Sequence, residues 1–230
     1  MALSRVAVGM PLNRHRRDVR LQWLQRHRPN VFPMQRWRRV LFSDESRFTL
    51  YRSDGRQRVF RRRGERSADN CIVERDRFGG GSVMVWGGIC NGRKTPLVVI
   101  EGNLTAQRYI DIVLQPVVVP FVRQHNVIFQ QDNARCHVAR RAMDYLRQNN
   151  VDTLPWPPYS PDLSPIEHVW DMLDRRIRTR PNPPETLPAL HQALLEEWQN
   201  IPMAQINRLV NFMHRRIRAA TNANGGHTRY

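Results

Sequence analysis

Lysine is almost missing from this 230-residue chain. Lys94 is the single one, although Lys+Arg reaches 37 against 20 Asp+Glu, a formal charge of +17. The cations are therefore arginines, whose planar fork grips two phosphate oxygens at once where a lysine acts as a point charge. Such an excess implies a polyanionic partner; a well-solvated arginine-rich surface is the competing reading. Cysteine is scarce too. Cys71, Cys90 and Cys136 are far apart, odd in number and form no Cys-x-x-Cys pair. That supports neither a zinc ribbon nor a disulfide framework, and suits reduced thiols in an intracellular compartment. Long apolar runs are absent, since a membrane span needs about 20 such residues. The best candidate, Ile110 to Val122, carries Asp111, Gln115 and two prolines and reads as a buried helix, so no membrane partner is expected. The start, MALSRVAVGM, is too short and too soon followed by arginines for a secretion signal. Repeats and low-complexity tracts are missing as well. What remains, 40% hydrophobic residues and 16 prolines, describes one globular core with a helical appendage.

The basic start places Leu21, Trp23 and Leu24 on one side of a helix that Asn30, Phe32 and Pro33 end. Val40 to Asp44 is an apolar run too short for a helix, hence a buried strand. Phe48 to Tyr51 and Arg58 to Phe60 alternate like a meander around the turn Ser53-Asp54-Gly55. Residues 61 to 78 are polar and aperiodic, an excursion expected to order on a ligand. FGGGSVMVWGGI gives a strand from Ser82 to Trp86. Its glycines permit close backbone approach, either to a nucleic acid or reacting centre or to a neighbouring segment. Further strands are expected at Leu97–Ile100, Asn126–Gln131 and Val151–Leu154. Helices are expected after a Thr105 cap through Val117, and at Val138–Gln148, Pro165–Arg178, Leu187–Trp198 and Ala204–Ala220.

Two of the apolar runs end in aspartate, VLFSD at Asp44 and VIFQQD at Asp132. A strand without polar alternation belongs inside a sheet covered on both faces. If the two pair in parallel, their aspartates emerge side by side at the edge where open α/β sheets place ligands. Carboxylates brought together raise each other's pKa. A divalent cation removes that penalty, and Mg²⁺ favours a few hard oxygen ligands with water and phosphate. A third carboxylate, Glu167, follows a proline-stiffened loop in WPPYSPDLSPIEHVWDML. Stiffness fixes a ligand in place, and a helix start favours the ionised form. Three carboxylates so delivered suit two-metal phosphoryl transfer. Each also has a plainer reading. Asp44 could be an exposed turn residue and Asp132 a helix N-cap. Glu167 could complete a capping box, Ser164-Pro165-Ile166-Glu167, with proline at the first helical position. Asp162 and Asp171 compete as third ligand. His137 and His168 fall in no metal-ligand pattern; Asn133 and His137 are expected to support Asp132, and His168 to lie on a helix surface.

The strings VLFSDESRF, GGGSVMVWGGI, VIFQQDNARCHVA and WPPYSPDLSPIEHVWDMLDRRIR resemble the catalytic domain of Tc/mariner superfamily DNA transposases, over nearly the whole chain from about Pro11. The 34-residue interval between Asp132 and Glu167, closed by glutamate, resembles the Tc-type branch. The resemblance implies an RNase H-like α/β fold, a mixed five-stranded sheet with flanking helices. Its core would span residues 39–180, after a basic helical linker at 1–38 and before a C-terminal helical extension of the same domain at 181–230. It implies Asp44, Asp132 and Glu167 as catalytic ligands of two divalent ions, Mg²⁺ with Mn²⁺ able to substitute. It implies cut-and-paste transposition: hydrolysis at the transposon end, then attack of the freed 3′-hydroxyl on target DNA at TA dinucleotides. Double-stranded DNA, a homodimeric active form and the nucleus follow. The excursion carrying Arg61, Arg62, Arg63, Arg66, Arg75 and Arg77 falls where relatives contact DNA or a partner subunit. Relatives carry two helix-turn-helix units ahead of the catalytic domain. These have no counterpart here, so base readout at transposon ends is expected to be missing. The rival reading is a non-catalytic DNA-binding protein that keeps the fold and the charge.

Overall fold

The computed structural model of the chain describes residues 12–50, 81–228 and 230. The expected strand at Arg58–Phe60 and its turn, Cys71, and the excursion with Arg61, Arg62, Arg63, Arg66, Arg75 and Arg77 lie outside the described residues.

Among the described residues six strands make one mixed sheet: β1 (Val40–Thr49), β2 (Ser82–Cys90), β3 (Arg93–Lys94), β4 (Val98–Ile100), β5 (Ile128–Gln130) and β6 (Thr153–Leu154). Their order is β3-β2-β1-β5-β6, with β4 also on β2. The count exceeds five because β3 and β4 pair with opposite ends of one β2 edge, Ile89–Cys90 and Met84–Trp86, and so share a single sheet position. β1 runs antiparallel to β2 and parallel to β5, and β5 is parallel to β6.

β1 is longer than its apolar run. The strand continues unbroken through Thr49 rather than ending at Asp44 and restarting at Phe48. Pairing with β5 stops at Phe42↔Gln130, while pairing with β2 continues to Thr49↔Ser82. The polar residues Asp44 to Arg47 thus belong to the half of the strand that β5 no longer covers. Their polarity reports an open flank, which a sequence reading takes for a strand end.

Strand alternation sorts the side chains into two cores. Val40, Phe42 and Phe48 face one; Leu41 faces the other. The first core is closed by α1 (Arg14–Arg26) and α2 (Met34–Trp37), and by four later helices of the chain. The second is closed by α3 (Ala106–Tyr109), a π-wound segment (Ile110–Val118) and α4 (Val119–His125), with α5 (Arg135–Val138) and α6 (Arg140–Gln148) beyond them. Thr105 caps α3 as expected, accepting from the Arg108 amide at 3.3 Å. Pro116 lies inside the π-wound turns, where its missing N–H would break a regular α-helical ladder.

The four later helices are α7 (Ile166–Arg178), α8 (Leu187–Gln199), α9 (Met203–Asn211) and α10 (Met213–Asn222). The last two replace the single helix expected at Ala204–Ala220. Ile206, Val210, Met213, Ile217 and Ala220 keep helical spacing across the junction, so periodicity alone hides the bend at Phe212 (φ −85°, ψ 2°). Lys94 has a defined task. Its ammonium donates to the carbonyls of Trp198, Gln199 and Ile201 at 2.6, 2.8 and 3.1 Å, satisfying groups left over where α8 ends. Three rotatable donors suit that end better than a planar fork.

The helix expected to show an apolar side at the chain start has a cation in it. Arg20 is fully buried and donates to both carboxylate oxygens of Asp162 at 2.9 and 2.8 Å. It also donates to Ser160 Oγ at 2.6 Å, and to the carbonyls of Tyr159, Gly225 and Gly226 at 3.2, 2.8 and 3.2 Å. The C-terminal segment reaches Arg20 through Gly225, at φ +70°, where a Cβ would stand 2.5 Å from the Arg17 carbonyl. One guanidinium thus ties together α1, the proline-rich loop and the end of the chain.

Candidate active site

In the parallel register Val40 pairs with Ile128 and Phe42 with Gln130; two residues beyond the last pair stand Asp44, still within β1, and Asp132, in the loop after β5. Ser43 holds the strands together just before they part, its hydroxyl donating to the Gln130 carbonyl at 2.8 Å. Glu167 enters on the first turn of α7. All three carboxylates line one cleft of about 330 Å³, whose other wall is the loop from Trp156 to Pro161. Asp162 and Asp171 do not join them. Asp162 is consumed by Arg20 and by the Thr228 amide and hydroxyl, each 3.1 Å away. Asp171 is exposed on α7 and acts on Glu167 only through its charge.

The plainer readings fail on geometry. The capping box does not form: Pro165 occupies the N-cap with no side-chain cap, and the buried Ser164 hydroxyl has no hydrogen-bond partner. Glu167 is therefore spared for the cleft. Asp132 is not an N-cap either. It accepts from the Ala134 amide at 2.8 Å, which folds the loop, while the cap position of α5 is Ala134 itself. Asp44 is no exposed turn residue, because it lies within β1 and receives the indole N–H of Trp170 on Oδ2 at 3.1 Å.

The three carboxyls sit in different electrostatic surroundings. Burial first, then the charges of Glu167, Glu45 and Asp132, pushes Asp44 well above the ordinary carboxylate range, against the pull of the Trp170 hydrogen bond. Burial, Asp171 and Asp132 raise Glu167. Asp132 goes the other way: burial would raise it, but the His137 hydrogen bond and the Ala134 amide hold it below its usual value. His137 is buried between two carboxylates, Nδ1 on Asp132 Oδ1 at 2.6 Å and Nε2 on Glu45 Oε1 at 3.1 Å. Burial alone would lower it, yet hydrogen bonds with Asp132, Cys136 and Glu45 push it up to about 12.

Alternation along β1 explains why Asp44 meets Trp170 on one face while Glu45 meets His137 on the other. Asn133 donates to the Trp156 carbonyl at 2.9 Å, tying the loop after β5 to the opposite wall. His168 is half-buried rather than on the surface, with Arg216 at 3.3 Å. Glu45, Trp170 and Tyr159, which also borders the cleft, were not singled out from sequence. A glutamate next to a candidate ligand and a tryptophan one turn after Glu167 were the available signals.

The glycine pair of MVWGGI resolves into packing that serves this site. Gly87 lies opposite Asp44. A Cβ there would stand 2.9 Å from Trp170 and 3.0 Å from Trp198. Trp170 and Trp198 stack with centroids 5.3 Å apart, and the Trp198 N–H donates to the Thr95 carbonyl at 2.8 Å. The bare strand lets the stacked pair lie flat and brings the indole N–H to Asp44. Gly87→Ala is expected to cost about 1–3 kcal/mol through overpacking. A urea unfolding curve with an unchanged midpoint would contradict this.

Among the described residues, no three acidic, histidine or cysteine side chains close into a ready-made ion cage. The donor set nevertheless fits a hard divalent cation. Burial and neighbouring carboxylates raise Asp44 and Glu167, Asp132 is held below its usual value, and the Ser164 hydroxyl stands unpartnered on the same cleft. Among the described residues neither Asp44 nor Glu167 forms an ion pair with an arginine or lysine, in a chain of charge +17. A divalent cation would offset the charge that holds Asp44 and Glu167 above the ordinary carboxylate range.

Comparison with known proteins finds relatives over most of the chain. The sequence model of the family described as DDE superfamily endonuclease matches residues 39–187. The transposable element Tcb1 transposase of Caenorhabditis briggsae is 34% identical over 219 residues, covering 93% of this chain and 78% of that protein. The transposable element Tc1 transposase of Caenorhabditis elegans is 34% identical over 225 residues, covering 95% and 80%. The crystal structure of the Mos1 mariner paired end complex with Mn superposes with a TM-score of 0.74 at 19% identity. It covers 98% of this chain and 67% of that one, a likeness of fold.

Proposed function

This chain belongs to the DDE superfamily of endonucleases, as a Tc1/mariner-type transposase catalytic domain, and we propose that it cuts and joins DNA strands with Asp44, Asp132 and Glu167 as its reacting centre. The supporting observation is the meeting of these three carboxylates on one cleft, from mid-β1, the loop after β5 and the start of α7. The three would hold Mg²⁺, with Mn²⁺ able to replace it. A pair of such ions supplies electrophilic charge to the attacking and leaving oxygens of an in-line displacement.

The chain's own residues prepare that chemistry. His137 and the Ala134 amide keep Asp132 ionised and oriented. Trp170 fixes one oxygen of Asp44. The clamped proline loop holds the entry to α7, and with it Glu167, at the cleft. Double-stranded DNA is the substrate: transposon ends in the cutting step and TA target sites in the joining step. The active form is a homodimer holding two ends, by analogy with the paired-end assembly of its Mos1 fold relative, and it works in the nucleus.

The test is nicking of supercoiled plasmid in Mn²⁺. Wild type should nick, and Asp132→Ala should lose roughly a hundredfold or more of the rate, the scale of several kcal/mol of metal-borne stabilisation. Equal cleavage by both would sink the assignment. No cleavage by either would favour the binding-only rival. Joining of a pre-cut end into a second plasmid separates a transposase from a nuclease of the same fold.

A further inference from the structure

Tyr159 is the residue that neither the fold nor the carboxylate chemistry explains. It is not glycine, yet its φ is +53°, in the left-handed region that a bulky side chain occupies only under constraint. Among the described residues it is one of the few large apolar side chains left exposed, at 44%, and it belongs to neither core. Its backbone is held in place. Arg20 grips the Tyr159 carbonyl and the Ser160 hydroxyl, and that hydroxyl donates to the Pro158 carbonyl at 3.0 Å. Strain of this kind persists where the surroundings over-determine it, and it gathers at ligand sites. The constraint presents the ring on the wall of the cleft that holds Asp44, Asp132 and Glu167. The guanidinium of Arg16, from α1, lies over the ring 3.9 Å from its centroid.

We propose that Tyr159, backed by Arg16, is a stacking platform for one unpaired nucleobase beside the phosphodiester that the carboxylates engage. The inference rests on the DNA-cutting reading above and adds a substrate feature to it. An aromatic face accepts any base, and an arginine on the ring adds cation–π attraction and a charge for the adjoining phosphate. The preferred substrate is therefore a DNA end, or a site of distortion, whose base next to the scissile bond is out of the stack. A fully paired duplex offers that face nothing.

The experiment titrates the full chain, in EDTA, into duplexes carrying 2-aminopurine either in an unpaired nucleotide at a strand end or at an internal paired position. Wild type should quench the unpaired probe, and Tyr159→Phe should retain the quench. Tyr159→Ala should lose the quench and bind the unpaired-end duplex on the order of tenfold more weakly, with less than about twofold change on the paired one. Tyr159→Gly relieves the left-handed backbone, so it should melt no lower than wild type while also losing the quench, which separates stacking from folding. Quenching that survives in Tyr159→Ala, or equal weakening on both duplexes, overturns the proposal. The assay reads no cleavage and contains no metal. Quenching without any nicking in Mn²⁺ would therefore count against the catalytic reading alone, and nicking without quenching against the platform alone.

Discussion

Asp162→Ala should cost about 3–5 kcal/mol of stability, the penalty for stranding one half of a buried ion pair. Arg20 has no exposure and Asp162 is 6% exposed, so the guanidinium left behind could not be rehydrated without opening the fold. The loss is larger than a surface ion pair could give, since exposed pairs contribute only about 0–1 kcal/mol. Three segments should loosen together: α1, the loop from Tyr159 to Asp162, and the tail at Gly225–Thr228, because Asp162 also receives the Thr228 amide. Urea unfolding measures the cost, and hydrogen exchange shows which amides lose protection. A combined Arg20→Met, Asp162→Leu variant should recover much of the loss, as apolar replacement of buried pairs often does. An unchanged midpoint for Asp162→Ala would show that the clamp contributes nothing.

The second large effect has the opposite sign for folding and for activity. Asp44→Asn should make the metal-free protein more stable, by about 0.5–2 kcal/mol on the usual scale for relieving a strained functional group, while abolishing nicking. Asp44 and Glu167 have folded pKa values above their unfolded ones. Their contribution to stability is therefore fully present below the ordinary carboxylate range, about 4, and is lost as pH rises through the folded values. Asp132, held below its usual value, behaves inversely: its contribution is present above the unfolded pKa and disappears as pH falls through the folded one. Metal-free wild type should thus weaken as pH rises from the ordinary carboxylate range through the folded values of Asp44 and Glu167, and added Mn²⁺ should raise its melting temperature at neutral pH by mass action. Asparagine can still accept the Trp170 N–H, so packing survives the change. If Asp44→Asn melts lower than wild type without metal, or still gains stability from Mn²⁺ as wild type does, the carboxylate is not a strained ligand.

How far the sequence foretold this molecule depends on the range of the interactions. VLFSD and VIFQQD were legible because a strand buried on both faces has no reason to alternate, and their parallel pairing ends two residues short of Asp44 and of Asp132, which line one cleft. Thr105 was legible because capping is local. The polar half of β1 misled, since Asp44 to Arg47 are polar for want of a neighbour on one side rather than for want of a strand. The capping box misled because the pattern fits while Pro165 itself takes the cap position. Nothing in the sequence announced the Arg20–Asp162 bond, which spans 142 residues, or the bridge from His137 back to Glu45 across 92. Composition registers an arginine; only tertiary structure shows that it is inside.

The ammonium that closes α8 has a consequence outside catalysis. Side-chain amine chemistry such as acetylation, ubiquitin attachment or crosslinking by amine-reactive esters has one address in this protein, Lys94, and its nitrogen is already committed to three carbonyls. Burial, with the nearby charge of Arg176, also lowers its pKa, and the nitrogen is reached only by unlatching the helix end. Lysine-directed tagging or regulation of the folded chain is thus coupled to local opening at a single spot. A surface whose cations are arginines is nearly invisible to the reagents and enzymes that read lysine.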